Sequence, residues 1–184
     1  MSQAKKVFTR MCLNNWGGID HKVLEFHEYV NLFSGKSGSG KSTVMDAIQV
    51  ILYGSFSPSF LNKAADDAKN RRSVLSYLRG EQKDGSANRK DCDFCSVIAL
   101  EIEDTGTHII TCIGIAFEVR KSDSEIKKFV YFSHSGKMPE SEYLTEQGVC
   151  YSNQEIKKLV SARTKSDDNR GKGEVNRIYG CLLY

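Results

Sequence analysis

The sequence predicts an α/β fold in which a short apolar strand enters a glycine-rich loop and leaves it as a helix, with an antiparallel β meander beside them. Three observations carry this prediction. Tyr29 to Ser34 (Tyr-Val-Asn-Leu-Phe-Ser) is short and mostly apolar, as suits a buried strand, and three glycines follow within six residues, Gly35, Gly38 and Gly40. The period then changes: Val44, Met45, Ile48, Ile51 and Leu52 recur at three- and four-residue spacing up to Gly54, a helix and its stop. Farther on, Ser96 to Glu103, Thr107 to Val119 and Phe129 to Ser133 are rich in Val, Ile, Thr and aromatic residues, with turn-forming residues between them.

The remaining elements follow in chain order. Val7 to Asn14 and Val23 to Phe26 alternate between apolar and polar residues around Gly17-Gly18, which predicts two neighbouring strands. Ser55 to Arg79 is polar and broken, predicting loops and a short helix, and Gly80 to Asp93 is rich in charge and reads as a mobile, solvated excursion. Ser152, Asn153, Gln154 and Glu155 match a capping box ahead of Ile156, Leu159 and Val160, so a helix starts near Asn153.

At 184 residues, 40% hydrophobic, the chain is long enough for one cored domain, expected to span residues 1–184. The 26 Lys and Arg against 23 Asp and Glu leave a net charge of +3, too small to signal a nucleic-acid or membrane partner. No apolar stretch has signal-peptide or membrane-spanning length, so a cytoplasmic protein with no membrane partner is expected. The six cysteines are then expected as reduced thiols, and Cys92-x-x-Cys95, lacking a second closely spaced pair, reads as the entry to a strand rather than half a zinc site.

Gly35-Lys36-Ser37-Gly38-Ser39-Gly40-Lys41-Ser42 satisfies GxxxxGK[ST], and a strand before it with a helix after it is the context this motif needs. Glycines let backbone N–H groups turn inward as a nest for phosphate oxygens. Lys41 supplies a cation for the β and γ phosphates, Ser42 a hydroxyl ligand for Mg²⁺, and Thr43 a contact to the α-phosphate. The expected cofactors are ATP and Mg²⁺, held by Gly35 through Thr43. Hydrolysis also needs an acid at the end of an apolar strand. Glu101 and Asp104 are the only nearby readings, yet Val97, Ala99, Glu101 and Glu103 alternate on one strand face, which favours a meander strand. A stand-alone P-loop phosphotransferase using Glu101 or Asp104 for magnesium, with a lid drawn from Arg71 to Arg79, is the alternative function.

Asn15-Trp16-Gly17-Gly18, the loop itself, Asp46-Ala47-Ile48-Gln49 and Ser76-Tyr77-Leu78-Arg79-Gly80 together resemble the N-terminal head lobe of SMC-type, ABC-class ATPases that organise DNA. The flanks look most like the MukB-like branch, in particular the JetC/MksB subunits of Wadjet-type anti-plasmid systems. The resemblance implies an N-terminal piece of a larger split head. Its partners would be ATP, the rest of the polypeptide, a second head and DNA in the assembled complex, and hydrolysis would wait on a C-terminal lobe. It also implies a glutamine near Mg²⁺ and the attacking water, for which Gln147 and Gln154 are the candidates, Gln147 being preferred. Arg71, Arg72 and Arg79 fall where such heads present arginines to phosphate or DNA. Lys36 departs from the asparagine or aspartate usual beside the first glycine.

Overall fold

The computed structural model describes residues 4–36, 38–57, 61, 73–82 and 85–163. Strands β1 (Lys6–Trp16), β2 (Ile19–Glu25), β3 (Phe94–Asp104), β4 (Ile110–Val119) and β5 (Lys128–Ser135) form one sheet in the order β2-β1-β3-β4-β5. Every neighbouring pair is antiparallel. Helices α1 (Lys41–Tyr53) and α2 (Val74–Arg79) lie on one face and α3 (Asn153–Arg163) on the other.

Side chains along a strand alternate between its faces, and that alternation builds two cores of different texture. Met11, Leu13, Ile98, Leu100, Ile113, Ile115 and Phe117 face α1 and α2. Cys12, Val97, Ala99, Cys112 and Ala116 face α3, where smaller side chains let Phe132, Tyr143 and Ile156 approach the sheet. Gly114 takes this furthest, since a Cβ there would stand 2.6 Å from the Phe132 ring.

The meander, the β1–β2 hairpin and the helix after the glycine loop form as predicted, with three refinements. Tyr29 to Ser34 joins no strand: Tyr29, Val30 and Leu32 are 81%, 76% and 88% exposed, and Asn31 closes a local loop through reciprocal bonds with the His27 backbone at 2.7 and 2.8 Å. The expected lead-in strand is therefore absent from the sheet: this segment pairs with none of the described strands. Along α1 the buried face is Val44, Asp46, Ala47, Val50 and Ile51, and Met45 points to solvent, because Asp46 turns inward to meet Tyr77. The stretch 80–93 is not wholly a solvated excursion. Arg89 is 6% exposed and donates to the Leu78 carbonyl at 3.0 Å, to the Gly17 carbonyl, and to Asp20 at 2.8 Å.

The helix ends are capped as their sequences direct. Gly54 closes α1 in the left-handed conformation (φ 57°), returning its N–H to Val50. Ahead of α3 the capping box is complete: Glu155 accepts from the Ser152 backbone N–H at 2.7 Å and donates its own to Ser152 Oγ at 3.3 Å. Cys12, Cys112 and Cys150 are buried free thiols, and burial pushes Cys12 and Cys112 up to about 12. Cys95 enters β3 and Cys92 is exposed.

His134 lies buried under α3, with Nε2 3.0 Å from the Tyr143 hydroxyl, and desolvation holds its pKa below the usual histidine value. Arg163 pushes the same way, whereas the Ser135 carbonyl and Glu101 oppose it. With a folded pKa below the unfolded one, stability is intact above the unfolded value and is lost as pH falls through the window between them. Between pH 7.5 and 5.5 the unfolding free energy from urea melts should fall, with a slope of at most about 1.4 kcal/mol per pH unit from this residue. His134→Gln should flatten the curve; an equally steep fall in that variant would assign the dependence elsewhere.

Candidate functional site

The loop from Gly35 to Gly40 owes its shape to backbone angles that side chains disfavour. Gly35, Gly38 and Gly40 have φ of 152°, 84° and 88°, and a Cβ at Gly35 would lie 2.6 Å from Ser39 Oγ. Positive φ recurring at these three positions lets peptide N–H groups of a short loop turn toward a common centre, as an anion nest requires. Gly40 is the N-cap of α1 and supplies no side-chain cap, and no acidic residue occupies the first turn. The helix N-terminus therefore keeps its uncompensated N–H groups and partial positive charge for an anion.

Lys41 lies across the loop. Its Nζ donates to the Gly35 carbonyl at 2.6 Å, the Lys36 carbonyl at 2.9 Å and Ser39 Oγ at 3.2 Å. The ammonium thus sits over the same concavity a phosphate would enter, and those three bonds are the ones a phosphate would exchange for charge-assisted contacts. Ser42 is exposed on the first turn of α1, open to a hydrated Mg²⁺, and Thr43 is half-buried behind it. Lys36 is exposed and contributes its carbonyl, which accepts from Lys41 and from the Ser39 N–H at 3.2 Å, so its departure from an asparagine leaves the backbone nest intact. These residues fit a nucleoside triphosphate with Mg²⁺. Ser37 lies outside the described residues.

A second layer holds α1 against the β1–β2 turn. The Trp16 indole N–H donates to the Thr43 carbonyl at 2.9 Å, the Trp16 and Tyr77 rings stack at 5.1 Å with planes 6° apart, and the Tyr77 hydroxyl bonds the fully buried Asp46. The Gly17 N–H returns to the Tyr77 carbonyl at 2.8 Å. Gly80 packs so closely that a Cβ would stand 2.6 Å from the Gly17 carbonyl oxygen. Burial pulls the Arg89 guanidinium down while Asp20 opposes the change.

The other sequence-derived candidates do not converge on the loop. Glu101 is 3% exposed on the α3 side of the sheet, accepting from Thr9 Oγ1 at 2.7 Å and from the Met138 N–H at 2.6 Å, so it is committed to the fold. Asp104 accepts from the Gly106 and Thr107 N–H groups at 2.9 and 3.1 Å, closing the β3–β4 turn, and those bonds lower its pKa. Gln147 sits on the exposed turn closed by the Leu144–Cys150 bridge, and Gln154 is exposed on the first turn of α3. Both belong to segments packed on the face opposite α1, so the described residues bring neither to Lys41 or Ser42. Arg79 donates to the Lys121 and Asp123 carbonyls at 3.1 and 2.5 Å. Arg71 and Arg72 lie outside the described residues.

Trp16, Asp46 and Tyr77 stand out in the sequence only within the flanking resemblances, and Arg89 does not stand out at all. A lone arginine in a polar stretch carries no local signal of burial.

Comparison with known proteins agrees with the site. The model of the P-loop containing region of AAA domains matches residues 8–68, covering β1 from its third residue, β2, the loop and α1. Over 74 residues, 38% of this chain, the sequence is 39% identical to the SbcC component of the nuclease SbcCD of Staphylococcus haemolyticus (strain JCSC1435), of whose length the match covers 6%. A chain from a structural study of ATP-driven dimerization and DNA-stimulated activation of SMC ATPases aligns over 93% of this chain and 89% of its own length, at 15% identity and a TM-score of 0.44. No described helix is long and apolar enough to cross a membrane. The chain carries a P-loop nucleotide-binding fold whose loop, helix and supporting turn lie inside the matched region.

Proposed function

We propose that this chain is the N-terminal ATP-binding lobe, residues 1–184, of a larger SMC-like ABC-type ATPase that organises DNA, with hydrolysis requiring a second lobe and a second head. The observation that carries this is the exposed apolar lead-in to the loop. Tyr29, Val30 and Leu32 stand in solvent immediately before Gly35, although their pattern is that of a buried strand. A strand from another lobe, bearing the acid that holds Mg²⁺, would pair there and complete the site at once. The similarity to a subunit of the nuclease SbcCD supports a role directed at nucleic acid. Within that class we assign the chain to the MukB-like branch, as a JetC/MksB-type subunit in plasmid defence or chromosome maintenance in the cytoplasm.

A stand-alone phosphotransferase would need its own magnesium acid, and the engaged positions of Glu101 and Asp104 speak against it. Phosphate release by the purified chain with saturating ATP·Mg²⁺ tests the proposal. Turnover should be indistinguishable from that of Lys41→Ala. Sustained turnover of the order of one per second, a typical working rate for an enzyme, would make the chain a complete enzyme and end this assignment.

A further inference from the structure

We propose that Trp16, Tyr77 and Asp46 form a positioning assembly that fixes the first turn of α1 for phosphate, and that Trp16 reports whether the loop is filled; this rests on the loop being an ATP site. The contacts restrain the helix at two points three residues apart, hence on one face: the Thr43 carbonyl held by the indole N–H at 2.9 Å, and Asp46 held by the Tyr77 hydroxyl. Both restraints come from one two-ring unit, because Trp16 and Tyr77 are stacked at 5.1 Å.

That unit is itself immobilised. The Gly17 N–H is bonded to the Tyr77 carbonyl at 2.8 Å, and Gly17 stands so near Thr43 that a Cβ would lie 2.6 Å from its Cγ2. Rotation of α1 about its axis would break both helix contacts together. The same rotation would swing Ser42, Lys41 and the N-terminal N–H groups away from the phosphate positions they serve, and phosphate recognition tolerates little misplacement.

Trp16 is the chain's sole tryptophan, so its emission reads this junction without interference from another indole. Filling the loop draws Lys41 off the Gly35 and Lys36 carbonyls and places phosphate charge at the first turn of α1, where the indole N–H holds the Thr43 carbonyl, so the field at Trp16 changes without the turn moving.

The test uses the full chain, titrated with ATP·Mg²⁺ and separately with pyrophosphate, followed by calorimetry and tryptophan emission. Tyr77→Phe removes one hydroxyl and keeps the ring. Trp16→Phe removes the N–H donor and provides a second variant, read by calorimetry, should the first fold poorly. Tyr131→Phe is the matched control: its hydroxyl donates to the Gly54 carbonyl at 2.6 Å, at the opposite end of the same helix. Tyr77→Phe should raise the Kd for both probes about tenfold and mute the emission change, whereas Tyr131→Phe should stay within about twofold. Equal weakening by Tyr77→Phe and Tyr131→Phe would overturn the inference and leave ATP binding standing. Binding without any change in Trp16 emission would overturn the reporting role. Wild-type chain that binds neither probe would overturn the ATP site and this inference together.

Discussion

Lys41→Ala should abolish measurable ATP·Mg²⁺ binding while leaving the fold intact. The loss expected is at least about a hundredfold in Kd, because among the described residues of the loop the Lys41 ammonium is the side-chain cation held over the nest, and its contacts with phosphate are charge-assisted. Stability should change little, since Lys41 bonds only the exposed loop and packs into neither core. Thermal shift reads both quantities: saturating ATP·Mg²⁺ should raise the wild-type Tm and leave the variant's unmoved, with the two unliganded values close. Ser42→Ala should act differently, keeping residual nucleotide affinity but losing the gain that Mg²⁺ confers, because it would remove the hydroxyl proposed to hold the metal and no cation. If Lys41→Ala retained the ligand-induced shift, the nucleotide would be bound elsewhere than in this loop.

How far the sequence foretold this site follows from the range of each signal. The loop and α1 were legible because their causes are local: glycines at positive-φ positions, a three-to-four-residue period, a glycine stop at Gly54. The meander was legible for the same reason at period two, and alternation alone already set Glu101 on one face with Val97 and Ala99; that this face lies opposite α1 emerges only from the fold. Tyr29 to Ser34 shows the limit of such signals. Its apolar pattern records that the segment is suited to burial but not which neighbour buries it, and none of the described strands does.

Tertiary convergence explains the rest. Arg89 is buried because the carbonyls of Gly17 and Leu78 meet from different elements, a fact no window around residue 89 contains. Likewise Asp46 would be read as a polar interruption of an apolar helix face until Tyr77 arrives from α2. The supporting layer behind the phosphate loop is thus non-local, whereas the loop's chemistry is local, and a motif search sees only the second.

The junction of these elements should also be the most fragile point of the fold. Gly80→Ala is expected to destabilise the chain by about 3 kcal/mol, of which about 1 comes from placing a side chain at φ 66° and about 2 from overpacking. The overpacking is against backbone: the new Cβ would stand 2.6 Å from the Gly17 carbonyl oxygen and 3.2 Å from the Arg89 guanidinium that binds the same oxygen. Neither can retreat cheaply, because Gly17 is tied to Tyr77 and Arg89 to the Leu78 carbonyl. Gly148→Ala isolates the conformational part, since Gly148 has a similar φ of 74° with open space where its Cβ would go. That variant should lose only about 1 kcal/mol, so thermal melts should separate the two by several degrees, with Gly80→Ala lower by roughly 10 °C than wild type. Equal losses in the two variants would mean that the Gly17–Gly80 contact has room to yield. Because Gly17 also abuts Thr43, the Gly80→Ala chain should lose ATP affinity in conditions where it is still folded, and the Gly148→Ala chain should not.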